Sequence, residues 1–89
     1  MDVDALKAEA TLGQDAEDFI QSELGRYIIG RVDQEREDAI QSLTKTSSWR
    51  RHRIRDLQNA IWRCDTFKAW LGDLVVRGKQ AIAVLEQDA

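Results

Sequence analysis

The chain has 89 residues, enough for one small domain, and a chain that short buries too little apolar surface unless its helices pack efficiently or copies associate. Proline is absent and 33% of the residues are charged, which excludes a loop-rich β fold and suits solvated helices; a single cysteine excludes an internal disulfide. The net charge of −3 argues against generalised nucleic-acid affinity, and no run nears the roughly 18 apolar residues of a membrane span, so no membrane partner is expected.

That charge is unevenly divided. Residues 1–45 hold 11 acids and 5 bases and residues 46–89 hold 5 acids and 8 bases, so the halves carry −6 and +3 and suit antiparallel pairing. The start Met1-Asp2-Val3-Asp4 is acidic where a secretory leader is basic, so a beginning in the cytoplasm is expected.

Residues 2–12 predict a short N-terminal helix, with Asp2 as N-cap and Val3, Leu6 and Ala10 on one side. A break is expected at 11–14, where Gly13 could end that helix, or Thr11 with Gln14 could form a capping box for the next. Residues 14–44 predict a first long helix. Asp15, Glu17 and Asp18 suit its positive end, and Ile20, Leu24, Ile28, Val32, Ala39 or Ile40, and Leu43 recur at helical spacing. Gly25 and Gly30 interrupt it at about 1 kcal/mol each, so close backbone approach is expected at both. A glycine cradle for phosphate would need a preceding strand, and none is visible.

The hydroxyl-rich Thr44-Lys45-Thr46-Ser47-Ser48 predicts a turn at 45–48, with Ser47 or Ser48 capping the helix that follows. Residues 49–86 then predict a second long helix. Ile54, Leu57, Ile61, Cys64, Lys68, Leu71, Val75, Gly78, Ile82 and Leu85 fall at heptad a and d positions, broken only at Lys68, while Ala60, Phe67, Leu74 and Ala81 widen the stripe. The expected fold is all-α: a long antiparallel helical hairpin, coiled-coil-like, with a short additional N-terminal helix, in a single domain over 1–89. A turn centred on residues 46 and 47 pairs position i with about 93 − i. That register sets Gly30 beside Trp62 to Cys64, Gly25 near Phe67 and Lys68, and Asp38 next to Arg55 with Glu35 a turn away. The last turns of the second helix, from about Val76, then need cover from the N-terminal helix or from another subunit, with tight contacts at Gly72 and Gly78.

Two surfaces attract a partner. Trp70 borders Phe67 and Leu74 beside the heptad stripe while Trp62 projects away from it, and two helices cannot cover both directions; Trp62, Phe67, Trp70 and Leu74 are therefore the candidate protein contacts. The bland alternative folds Trp62 over Gln58, Thr66 and Ala69. The second surface is Trp49, Arg50, Arg51, Arg53 and Arg55, four arginines at the positive end of a helix, where an anion is needed. The carboxylates of the partner arm are the first source, an acidic protein surface the second and nucleic-acid phosphate the third, with Trp49 packing over the hairpin tip. No catalytic, cofactor or metal site is expected: His52 lies among arginines without a nucleophile to serve, one His and one Cys do not make a zinc site, and Asp33 with Glu37 reads as a solvated face. Cys64 reads as a small apolar side chain of the stripe.

The run Gly25-Arg26-Tyr27-Ile28-Ile29-Gly30-Arg31, then Trp49-Arg50-Arg51 to Trp62-Arg63, then Phe67, Trp70-Leu71, Gly78 and Gln80-Ala81, resembles small helical proteins encoded by tailed bacteriophages and prophages. The resemblance implies a structural or assembly role in a viral particle, made in the cytoplasm of the bacterial host and incorporated in the virion. It transfers no functional residue. The expected function is accordingly non-enzymatic, by contact with further copies or with another phage structural protein. The alternatives are a nucleic-acid-binding module built on 49–55 and a small inhibitor of a host protein.

Overall fold

The computed structural model describes residues 2–87; Met1 and residues 88 and 89 of the expected single domain lie outside them. The described residues form three helices and no strand: α1 Val3–Gln21, α2 Glu23–Lys45 and α3 Arg51–Gln87. The fold is all-α, as the periodicity predicts. The largest difference from the expected boundaries is the break between the first two helices, which falls at Ser22 and not at 11–14, so that the N-terminal helix has 19 residues and is not short.

Local hydrogen bonding accounts for the difference. Asp2 caps α1 as expected, its Oδ1 accepting from the amides of Asp4 at 3.0 Å and Ala5 at 3.3 Å. Thr11 forms no capping box; its hydroxyl donates to the Lys7 carbonyl at 3.0 Å, and Gln14 donates to Asp18, so both stay within a continuous helix. Ser22 has an extended backbone (φ −75°, ψ 159°) and serves both helices. Its amide and hydroxyl donate to the Phe19 carbonyl, at 3.1 and 2.7 Å, and its Oγ accepts from the Gly25 amide at 2.9 Å. One small side chain thus satisfies groups that two helix ends would otherwise leave unpaired.

Gly13 is buried in the middle of α1, where it crosses α3 at Gly78. A Cβ on Gly13 would stand 2.6 Å from the Gly78 Cα and 2.8 Å from the Leu74 carbonyl oxygen, and one on Gly78 would stand 2.7 Å from the Gly13 Cα. The two backbones therefore touch, an approach open only to residues without side chains. This contact supplies the cover that the end of α3 needs, and Ala81, one turn on, is the most buried apolar side chain at 2% exposure.

Two ion pairs fix how α2 lies on α3. Arg36 Nε meets Asp65 Oδ1 at 2.7 Å and Lys68 Nζ meets Asp33 Oδ1 at 2.8 Å. Three residues forward on α2 match three backward on α3, so the helices are antiparallel, but the residue numbers of each pair sum to 101 and not to the expected 93. The connector comes later and is longer than predicted, spanning 46–50, because Trp49 and Arg50 stay outside α3. Lys68, the one break in the heptad stripe, is exposed because its amine leaves the stripe for Asp33.

Ile20 of α1 and Ile29 of α2 line the same hollow of about 260 Å³ with Lys68, Leu71 and Gly72. Nine residues of unbroken helix would separate them by about 13 Å along the axis, so the break at Ser22 is what lets both flank Leu71. It also places the Phe19 carbonyl where a Cβ on Gly25 would fall, which explains that buried glycine locally and not by the expected contact with Phe67 and Lys68. Gly30 and Gly72, also expected to mark tight contacts, have nothing within 4 Å of an added Cβ; with the shifted register Gly30 does not lie beside Trp62 to Cys64. Leu24, expected on the inner series of α2, is 62% exposed just after the break.

The buried apolar side chains are Ala16, Ala39, Leu57, Cys64 and Ala81, mostly small, and none of the large ones falls below 2% exposure. These features give a pattern of substitutions readable by urea or thermal unfolding. Gly13→Ala and Gly78→Ala each lower stability by about 1–3 kcal/mol through forced separation of the helices. Gly30→Ala and Gly72→Ala each raise it by about 0.5–1 kcal/mol, since a methyl meets open space and helix propensity improves. Ser22→Ala costs about 1 kcal/mol by removing the cap of α2.

Candidate functional site

The first candidate surface is the side of α3 that faces away from the helices packed on it. Trp62, Thr66 and Trp70 recur at i, i+4 and i+8, a spacing that aligns side chains on one helix face. Trp62 is 65% and Trp70 67% exposed. Gln58, Thr66 and Ala69 therefore leave most of the Trp62 indole open. Between the two indoles lies a shallow hollow of about 350 Å³ lined by Trp62, Arg63, Thr66, Phe67 and Trp70. Asp65 and Lys68 reach across to α2, which leaves Arg63 as the charged residue lining it. The hydrogen bond from Arg36 to Asp65 is also the leading reason that the arginine pKa is raised, with the carboxylate charge second.

Of the four expected contact residues, Trp62, Phe67 and Trp70 meet at this hollow and Leu74 does not line it. Leu74 is half-buried and its carbonyl backs onto Gly13 of α1. Arg63 on the rim was not among the expected contacts; its position one turn before Phe67 was the available signal. Leu24 and Tyr27, 62% and 64% exposed, form a second pair of open apolar side chains on α2. Their exposure follows from the break at Ser22, which the heptad pattern of α3 does not report.

The second candidate surface is the hairpin tip. Trp49 and Arg50 lie in the connector, Arg51, Arg53 and Arg55 in the first turns of α3, and all five are exposed. Trp49, Arg50, Arg51, His52 and Arg53 line one hollow of about 280 Å³. Trp49 is 79% exposed, so it does not pack over the tip as expected. Neither Ser47 nor Ser48 stands at the cap position, because α3 begins at Arg51; Ser47 instead accepts the Arg50 amide through its carbonyl at 3.0 Å.

The tip arginines form no intramolecular ion pair among the described residues, although Asp56 follows one turn after Arg53 on α3. Among the described residues, no carboxylate lies within 4.0 Å of the charged nitrogens of Arg50, Arg51, Arg53 or Arg55. The expected pairing of Asp38 with Arg55 fails with the register: Asp33 holds Lys68, Asp38 accepts from Gln34 at 2.8 Å and Glu37 accepts from Gln41 at 3.3 Å. Residues 39–55 contain Lys45 and the four arginines and no acid at all.

Cys64 is a buried free thiol, and among the described residues no three His, Cys, Asp or Glu side chains are grouped to hold a metal ion. No helix of the described residues is long and apolar enough to cross a membrane. Comparison with protein-family models, with curated proteins and with solved structures gives no match.

The geometry fixes what indole fluorescence reports. In dilute solution all three tryptophans emit as water-exposed indoles and are quenched by acrylamide, and a shielded, blue-shifted population at the lowest concentration would contradict the arrangement. The Arg36–Asp65 pair is exposed, so a double-mutant cycle gives a coupling below about 1 kcal/mol that falls with salt.

Proposed function

We propose that this chain is a non-enzymatic structural or assembly protein that acts by helix-to-helix contact, with further copies of itself or with a larger protein of a phage particle. The observation that carries this reading is the pair of open indoles, Trp62 and Trp70, around an apolar hollow on the side of α3 not used for folding. Large aromatics around an apolar hollow, with an arginine on the rim, are the residues that dominate binding energy at protein interfaces. A chain whose buried side chains are mostly alanine-sized gains more from covering such a face than from its own interior.

The spacing of the face suits a second copy. An antiparallel copy related by a two-fold axis at Thr66 sets Trp62 of each against Trp70 of the other, with the smaller Thr66 leaving room between them. The role in a virion, reached from the cytoplasm of the bacterial host, is supported by the sequence resemblance and by no feature of the fold.

Sedimentation and light scattering over a concentration series test the contact, and mass spectrometry of purified particles tests the location. Self-association that strengthens with concentration, and that weakens roughly thirtyfold in Trp70→Ala at unchanged helicity, is expected from the loss of about 2 kcal/mol at a central tryptophan. A chain that stays monomeric at every concentration and is absent from particles would overturn the reading.

A further inference from the structure

We infer that the hairpin tip is a binding site for single-stranded nucleic acid, engaged end-on, with Trp49 stacking on a base and Arg50, Arg51 and Arg53 taking neighbouring phosphates. The inference stands apart from the aromatic face, since no residue is shared between the two surfaces.

Charge is the first ground. Residues 39–55 carry five cations and no acid, whereas the rest of the chain carries 16 acids against 8 bases, for a net −8. The tip arginines are not neutralised within the fold, having no carboxylate within 4.0 Å among the described residues. The largest acidic group, Asp4, Glu9, Asp15, Glu17 and Asp18 with the cap residue Asp2, belongs to α1 and its N-cap, and α1 docks at Gly78. Gly78 is 27 residues along α3 from Arg51, or about 40 Å of helix, several times the Debye length of about 8 Å at physiological ionic strength. An anion at the tip therefore feels the arginines and little of the acidic end. A strand laid lengthwise along the molecule would meet that end and be repelled, which restricts contact to the tip.

The aromatic is the second ground. Trp49 is the most exposed of the large apolar side chains and lines the same hollow as three guanidinium groups. An acidic protein surface would satisfy the guanidinium groups and leave the indole uncovered; a base covers the indole while its flanking phosphates meet the arginines. Duplex is the poorer fit. Two packed helices present an end about 20 Å across, wider than the major groove of about 12 Å, and stacked bases offer no free face to the indole.

Fluorescence anisotropy of a labelled oligothymidylate with the full-length protein tests the inference. Binding at low salt is expected, with a slope of log K on log salt of about −2, from three phosphates at about 0.7 each. Trp49→Ala weakens binding about tenfold at an almost unchanged slope, whereas the double substitution Arg50→Ala with Arg51→Ala brings the slope to about −0.7. Trp62→Ala with Trp70→Ala leaves binding intact, so this result and the fate of the assembly reading are read separately. Both tip substitutions fall on exposed residues before or at the start of α3, and unchanged helicity verifies the fold. No binding at low salt, indifference to Trp49→Ala, equal affinity for duplex, or equal binding of polyglutamate would overturn the inference, the last in favour of an acidic protein partner.

Discussion

Where α1 crosses α3, Gly13 and Gly78 bring two helix backbones into contact, and most of the remaining architecture follows from that approach. Neither position tolerates a Cβ without displacement, so the crossing point is fixed to within a residue on each helix. With α1 pinned there, its end reaches the level of Leu71, where α2 must also pack through Ile29. An unbroken helix could not reach both places, and the chain steps sideways at Ser22, whose hydroxyl bonds both helix ends. Gly25 is then required because the Phe19 carbonyl occupies the space of its side chain.

Close helix packing through small residues has a consequence for the large ones. Ala16, Ala39, Cys64 and Ala81 fill the interior, leaving no room for the indoles, and α3 presents Trp62 and Trp70 to solvent on its far side. The molecule is thus a rod, 60 Å long and 15 Å in its thinnest dimension, with little depth in which to hide an aromatic side chain. Exposed tryptophan here is a product of how the interior closes.

The electrostatics are arranged along the same rod. Asp33 with Lys68 and Arg36 with Asp65 join α2 to α3 near the middle, each pair exposed and individually weak, and they draw charge away from the aromatic hollow. Acids gather on α1, and arginines gather at the opposite tip with no ion-pair partner among the described residues. A rod polarised in this way has two chemically different exposed regions, an aromatic flank with Arg63 on its rim and a cationic end.

Much of this was legible in the residues alone. Heptad spacing gave α3 most of its length and its buried side, because a period of 3.5 is a local property of the chain; the hydroxyl-rich stretch gave a return, expected at 45–48 and found at 46–50; and Trp62 and Trp70 were legible as aromatic surface that two helices do not cover. What local pattern could not give was the register. A side chain such as Asp38 or Arg55 looks the same in either alignment, and a shift of eight residues between α2 and α3, set by where the connector ends and by the Gly13–Gly78 crossing, separates them. The same is true of glycine: Gly13 reads as a helix stop and Gly30 as a packing site, and only the neighbour brought opposite by the tertiary fold decides that the first is the crossing and the second is open to water. The sequence by itself determined three-dimensional class, helix faces and the surplus of aromatic surface, since these depend on residues a few positions apart; the tertiary structure decided which glycines touch, which charges pair and that the arginine tip is left unpaired, since these depend on residues up to 65 positions apart meeting in space.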